Sequence, residues 1–205
     1  MTLYLGLTGG IATGKSTASK YFLTQGVPVV DTDKIAHQLM EPGQASYQAI
    51  VKNFGSKILQ KNQTIDRKKL GAIVFNDHKQ LNILNDLTHP LIRKETFRQM
   101  DKYKTQDYPI CVVDVPLLFE SGWDKYVDKT LVIATTPELE LEHLMQRDNL
   151  SKAEAEKRIN SQLPIKEKVK KASYTIENTA TIDKLEKQLS ELLKVLRKVE
   201  ANGVS

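Results

Sequence analysis

The sequence predicts an α/β fold, a three-layer α/β/α core around a five-stranded parallel sheet, interrupted by two helical insertions. Three observations predict it. Five short β-rich segments recur along the 205 residues: Leu3 to Thr8, Val27 to Asp31, Tyr108 to Val115, Lys129 to Ala134 and Tyr174 to Glu177. Three of them read as near-continuous apolar runs, the pattern of strands buried on both faces of a parallel sheet. Stretches with helical periodicity separate them, as βαβ units require.

The elements follow in order. The first strand feeds a glycine-rich segment and a helix from Lys15 to about Gln25, which Gly26 stops. The second and third strands are separated by four helical patterns: Lys34 to Met40, Ala45 to Phe54, Arg67 to Phe75 and Lys79 to Tyr103. So structured an excursion is an inserted helical subdomain and not a loop. A second insertion, Pro137 to Ala172, is helical and strongly charged. The last helix, Ile182 to Val199, carries Leu185, Leu189, Leu192, Leu193 and Leu196 at helical spacing, a core-facing stripe. Residues from Glu200 to Ser205 are expected to fray.

Composition narrows the class. A chain with 40% hydrophobic residues can bury one sizeable core. No apolar run reaches bilayer length. The apolar start, Met1 to Gly10, lacks a basic region before it and reads as a strand, not a signal peptide. The single cysteine, Cys111, cannot form an internal disulfide and sits in the apolar run Ile110-Cys111-Val112-Val113. It is expected to be a buried, inert thiol, and a cytoplasmic location follows. The net charge of +5 suits nucleic acid and small polyphosphates equally, so the position of the charge decides. From Arg147 to Lys171 there are eight basic residues against four acidic ones, almost the whole net charge of the chain.

The segment Gly9-Gly10-Ile11-Ala12-Thr13-Gly14-Lys15-Ser16 matches G-x-x-x-x-G-K-[ST] in full, with a strand before it and a helix after it. Glycines let the backbone wrap a phosphate and turn successive N–H groups inward. The helix N-terminus adds its positive end. The candidate nucleotide-binding residues are therefore Gly9, Gly10, Ala12, Thr13, Gly14, Lys15, Ser16 and Thr17. Lys15 reaches the β- and γ-phosphates of ATP, and the Ser16 hydroxyl is placed to ligate Mg2+. The pattern is that of a P-loop nucleotide-binding protein. A GTPase would normally carry N-K-x-D, which is absent, and helicases and most motors need more chain. A small-molecule kinase fits the size.

Two strand ends carry carboxylates where open α/β sheets bind ligands. Val29-Val30-Asp31-Thr32-Asp33 offers Asp33 as a general base for an acceptor hydroxyl and Asp31 for a supporting or metal-linked role. The alternative is that Thr32 or Asp33 simply caps the helix starting at Lys34. Val112-Val113-Asp114 has the Walker B pattern, with Asp114 the second Mg2+ residue. The alternative is a polar strand terminus without a role.

These motifs, taken with others, resemble the dephospho-coenzyme A kinase family over nearly the whole chain. The likeness rests on Gly6 to Thr17, on Val30-Asp31-Thr32-Asp33 with Ala36-His37, and on Thr88-His89-Pro90-Leu91-Ile92-Arg93. It continues in Asp114-Val115-Pro116-Leu117-Leu118-Phe119-Glu120, Gln146-Arg147-Asp148, Arg158 to Gln162 and Ile176-Glu177-Asn178. Thr32 stands where many relatives have Ala, and Ser173 where Asp is common.

The resemblance implies a nucleotide-binding core (1–33, 108–136 and 173–205), a helical coenzyme A subdomain (34–107) and a lid (137–172). It implies phosphoryl transfer from ATP to the ribose 3′-hydroxyl of dephospho-CoA. A monomer is expected, with an oligomer left open, and no nucleic-acid or membrane partner is expected. Asp33 would be the base, with Lys15 and Arg147 the other catalytic groups. His89 and Arg93 would contact the acceptor, and Asn178 would lie at the nucleotide.

The weaker sites keep a plainer reading beside these. His89 precedes Pro90 and is expected at a turn or helix start, and Arg93 reads equally as a surface residue. Most lid lysines read as a solvated helix face. Arg147 and Arg158 share one face if the helix between them is unbroken. Leu150-Ser151 resembles a new N-cap, with Glu154 three residues after Ser151, and a break there would undo that geometry. Competing functions are another small-molecule or nucleotide kinase of this fold, a nucleic-acid-binding ATPase and a non-catalytic nucleotide-binding module.

Overall fold

The computed structural model describes residues 1–74 and 77–201, the side chains of the last three excepted. The predicted helix end at Phe75 and the tail 202–205 lie outside the described residues. The chain divides into two compact units, one formed by Met1–Val30 with the chain from Met100 onward, the other by Asp31–Gln99.

The five predicted strands form one sheet: β1 (Leu3–Gly9), β2 (Val29–Asp31), β3 (Ile110–Asp114), β4 (Lys129–Ala134) and β5 (Tyr174–Glu177). Their order is β2-β3-β1-β4-β5. β1 pairs in parallel with β3 and β4, and β4 with β5. β2 and β3 are shorter than predicted, and proline explains both. Pro28 and Pro109 have no N–H for a ladder, yet their carbonyls still accept from Val112 N (2.9 Å) and Leu3 N (2.9 Å) at the strand entries. All five residues of β3 are buried, as a strand covered on both faces requires.

Nine α-helices occur among the described residues: α1 (Lys15–Thr24), α2 (Thr32–Leu39), α3 (Ala45–Phe54), α4 (Arg67–Val74), α5 (His78–Thr105), α6 (Pro137–Asp148), α7 (Lys152–Ile159), α8 (Ile165–Lys171) and α9 (Ile182–Ala201). The leucine stripe of α9 is core-facing. Leu185, Leu189, Leu193 and Leu196 pack with Leu5, Leu7, Phe22, Val112 and Ile133. α9 runs to Ala201, so Glu200 continues the helix where fraying was expected. The Asp31–Gln99 unit has its own core of Ile50, Phe54, Ile58, Ile65, Leu70 and Val74. Burying these apolar faces drives both units. Among the described residues no helix is long and apolar enough to cross a membrane.

Three local departures bear on the site. α2 starts at Thr32, capped by Asp31, whose Oδ1 accepts from Lys34 N at 3.0 Å. Capping thus falls to neither Thr32 nor Asp33, because the carboxylate one residue earlier already satisfies the first-turn amide. Second, α5 runs for 28 residues through Pro90, so His89 is mid-helix and not at a turn. The proline removes one N–H, that for the Asp86 carbonyl, and the rest of so long a helix absorbs the loss.

Third, the segment 137–172 is not one helix. α6 ends at Asn149 in the left-handed region (φ 51°), and Ser151 opens α7 with a complete capping box: Ser151 Oγ accepts from Glu154 N, and Ser151 N donates to Glu154 Oε2 at 2.9 Å.

Candidate active site

The glycine-rich segment leaves β1 at Gly9 and enters α1 at Lys15. Gly14 sits at φ 97°, a backbone that L side chains rarely adopt, and a Cβ there would also strike Asn178 Nδ2. Ala12 adopts φ 57°, so the loop holds a non-glycine residue in the left-handed region as well. Its geometry is fixed by side chains that grip the backbone. Asn178 Nδ2 donates to Thr13 O (2.9 Å), Thr13 Oγ1 to Gly10 O (3.1 Å), and the Ile11 N–H to the Glu140 carboxylate. Asn178 is itself pinned, its N–H donating to Ala134 O (2.7 Å) and its carbonyl accepting from Thr135 Oγ1 (2.8 Å).

β1 and β3 are neighbours, and that adjacency brings Lys15 to Asp114. Lys15 Nζ lies 2.5 Å from Asp114 Oδ1, and the Ser19 hydroxyl donates to Oδ2. Asp114 is only 3% exposed. A buried carboxylate needs both a counter-charge and hydrogen bonds, and these two groups supply them. Ser16, at the start of α1, is exposed; Thr17 follows it.

In the second unit, Asp33 lies in the first turn of α2, exposed, beyond the capping Asp31. Lys34 Nζ also approaches the other Asp31 oxygen at 3.7 Å. One turn after Asp33, His37 Nε2 meets Arg67 Nη1 at 2.9 Å. His89 and Arg93 share a face of α5 that lines a cavity of about 600 Å³ with Asp86 and Phe97. Burial first, and the Arg93 guanidinium second, hold the His89 imidazole below its ordinary value, with Asp86 opposing.

Arg147 and Arg158 converge on one carboxylate although the helix between them is broken. The break at Asn149 turns α7 back, so that Arg158 Nη1 reaches Asp148 Oδ2 at 2.6 Å. Arg147 holds the same carboxylate through Nε (2.8 Å) and Nη2 (3.1 Å). The hydrogen bond from Arg147 is the main reason the Asp148 carboxyl lies below the usual range. The break expected at Ser151 is present, but it brings the two arginines together where it was expected to separate them.

Two residues escaped the sequence reading. Lys168 was counted with the solvated lid lysines, yet it is 0% exposed. Its Nζ meets Glu120 Oε1 (3.0 Å), Gly9 O (3.2 Å), Pro116 O (3.4 Å) and Gln162 Oε1 (3.5 Å). Its only sequence signal is a position three after Ile165, on the apolar side of a short helix. Glu140 is 5% exposed, on the face of α6 that also buries Leu144, and burial pushes its carboxyl up. Its spacing of four from Leu144 was the available signal.

Known proteins resemble this chain along nearly its whole length. The dephospho-CoA kinase family matches residues 3–184. A dephospho-CoA kinase of Lactobacillus johnsonii is 52% identical over 194 residues, covering 95% of this chain and 98% of the relative. A dephospho-CoA kinase from Campylobacter jejuni has a solved structure with TM-score 0.75 at 36% identity, covering 97% of this chain and 98% of that one. A crystal structure from Thermus thermophilus gives TM-score 0.80 at 31% identity, covering 95% and 98%. The chain belongs to the dephospho-CoA kinase family.

Proposed function

We propose that this chain transfers the γ-phosphoryl group of ATP to the ribose 3′-hydroxyl of dephospho-CoA, giving coenzyme A and ADP. The observation that carries the reading is a complete phosphate loop whose lysine is seated on the β3 carboxylate, in a chain that matches this family along nearly its full length.

Each residue has a chemical task. The loop amides and Lys15 bind the β- and γ-phosphates and orient the terminal phosphorus. Asp33 takes the proton of the attacking hydroxyl as its oxygen bonds to the γ-phosphorus and the bond to the β-phosphate oxygen breaks. What supports Asp33 is its place in the first turn of α2, with capping already done by Asp31. Arg147, with Arg158, stabilises charge on the transferring group and excludes water once the lid closes. His89 and Arg93 hold the acceptor, Asn178 keeps the loop closed beside the nucleotide, and 34–107 and 137–172 serve as substrate subdomain and lid.

The residues also fit Mg2+. No group of three or more His, Cys, Asp or Glu among the described residues forms a metal cage, and Mg2+ wants none: it keeps waters and takes one or two protein oxygens besides phosphate. The Ser16 hydroxyl and, through water, the Asp114 carboxylate would hold it. When bound it supplies charge neutralisation between the β- and γ-phosphates. The reading takes the enzyme as a cytoplasmic monomer acting on small molecules. Its excess positive charge, gathered in one insertion, suits a triphosphate better than a nucleic-acid track.

The test is ADP release from Mg·ATP with dephospho-CoA, AMP, CMP, shikimate or no acceptor. Only dephospho-CoA is expected to stimulate turnover. Stimulation by another acceptor instead would keep the kinase and overturn the substrate.

A further inference from the structure

The fully buried ammonium of Lys168 has no task in the mechanism above. We infer that Lys168 is a positioning residue that sets the Gly9–Gly10 peptide of the phosphate loop and locks the last lid helix, α8, to it. The inference rests on the reading that Gly9–Thr17 holds ATP.

The geometry carries it. A lysine with no exposed surface must find partners for a charge and three N–H donors. Lys168 finds them at four places belonging to three parts of the site: the Gly9 carbonyl where β1 becomes the loop, the Pro116 carbonyl and Glu120 carboxylate after β3, and Gln162 between α7 and α8. Glu120 Oε1 also accepts from Leu163 N at 3.0 Å, so the carboxylate ties the same lid connection a second time. The Glu140 carboxylate of α6, which accepts from Ile11 N–H, is attracted to Lys168 as well. One buried charge thus joins both ends of the lid insertion to the loop.

The consequence for the phosphates follows from peptide geometry. In a planar trans peptide, C=O and N–H point in opposite directions. Holding the Gly9 carbonyl on Lys168 turns the Gly10 N–H the other way. Asn178 does the same at the far end, where its grip on Thr13 O aims the Gly14 N–H. A phosphate nest works only if successive N–H groups converge. Lys168 and Asn178 therefore act as a pair that holds the two ends of the nest in the phosphate-binding rotation.

A merely structural lysine predicts lost stability alone; a positioning lysine predicts a defect specific to ATP. Lys168→Met keeps the length and removes the charge. Glu120→Gln, at a partly exposed site, weakens the same tie should Lys168→Met fail to fold. Each variant is compared with wild type for Mg·ATP affinity by calorimetry, for kcat, for the KM of ATP and of dephospho-CoA, and for thermal midpoint. The expected result is an ATP affinity and KM weaker by about tenfold in Lys168→Met and by about threefold in Glu120→Gln, with the KM for dephospho-CoA within about twofold of wild type. A lowered midpoint with ATP affinity and both KM values unchanged would overturn the inference, and so would equal weakening of both substrates. If wild type binds Mg·ATP but does not turn over dephospho-CoA, the acceptor reading fails, and the affinity comparison alone still decides this one.

Discussion

The glycine-rich loop and the Arg147–Arg158 pair are built in opposite ways. The loop is gripped from outside by the half-buried Asn178 on Thr13 and by three buried groups: Glu140 on Ile11, Lys168 on Gly9, and Asp114 under Lys15. Arg147 and Arg158 are exposed, and both meet the carboxylate of Asp148. Buried ties resist rearrangement, because breaking one leaves an uncompensated group. Exposed ion pairs contribute little and are exchanged readily. The difference is one of construction: a loop backbone held by several tertiary ties, and two guanidinium groups at the surface that share one carboxylate.

Substitutions can break that contrast, and the largest effect belongs to the cradle. Lys15→Met removes the phosphate contact and strands the buried Asp114. Turnover is expected to fall by at least about 10³-fold, and stability by about 3 kcal/mol, read by steady-state kinetics and urea unfolding. Next comes Asp33→Asn, with a rate loss on the order of 10²- to 10⁴-fold. Calorimetry is expected to show ATP affinity unchanged, since Asp33 acts on the acceptor; full rate in this variant would return Asp33 to a structural role.

The lid sharpens the contrast from the other side. Arg147→Ala is expected to lower kcat by about 10²-fold while moving the urea midpoint by under about 0.5 kcal/mol equivalent. A large stability loss there would mean that the exposed cluster is structural after all.

The sequence reading reached these two regions unequally, for a physical reason. The phosphate loop is local chemistry in consecutive residues, so Gly9 to Thr17 could be read directly, and the Walker B pattern at the end of an apolar strand singled out Asp114. The ties that make the loop rigid come from Lys168 and Asn178, far along the chain, and contact order hides them. Asn178 was found only through family likeness. Lys168 was hidden among Lys166, Lys170 and Lys171, where composition says surface and only tertiary packing says otherwise. The lid break was legible in Ser151 and Glu154, but its effect was not, because the direction α7 takes after Asn149 is set by a left-handed residue. Likewise Pro90 argued for a turn at His89, and the long apolar and polar pattern of α5 overrode it.

Smaller effects complete the order. Burial first and Arg93 second, opposed by Asp86, lower the pKa of His89, so its stability contribution is full above the ordinary histidine value of about 6.5 and is lost as pH falls below it. Thermal midpoints measured from pH 7.5 to 5 are expected to fall less steeply in His89→Gln than in wild type. Burial pushes the Cys111 thiol up to about 12, so a thiol reagent at pH 8 is expected to leave the native protein unlabelled and to label it stoichiometrically in urea.

The most direct test of the central claim is the identity of the product. Dephospho-CoA and Mg·ATP are incubated with the protein, and the products are resolved by mass spectrometry and phosphorus NMR. The account predicts ADP and a single new phosphomonoester on the ribose 3′-oxygen, formed in equal amounts. ATP consumed with dephospho-CoA unchanged, or phosphate placed at another position, would contradict it.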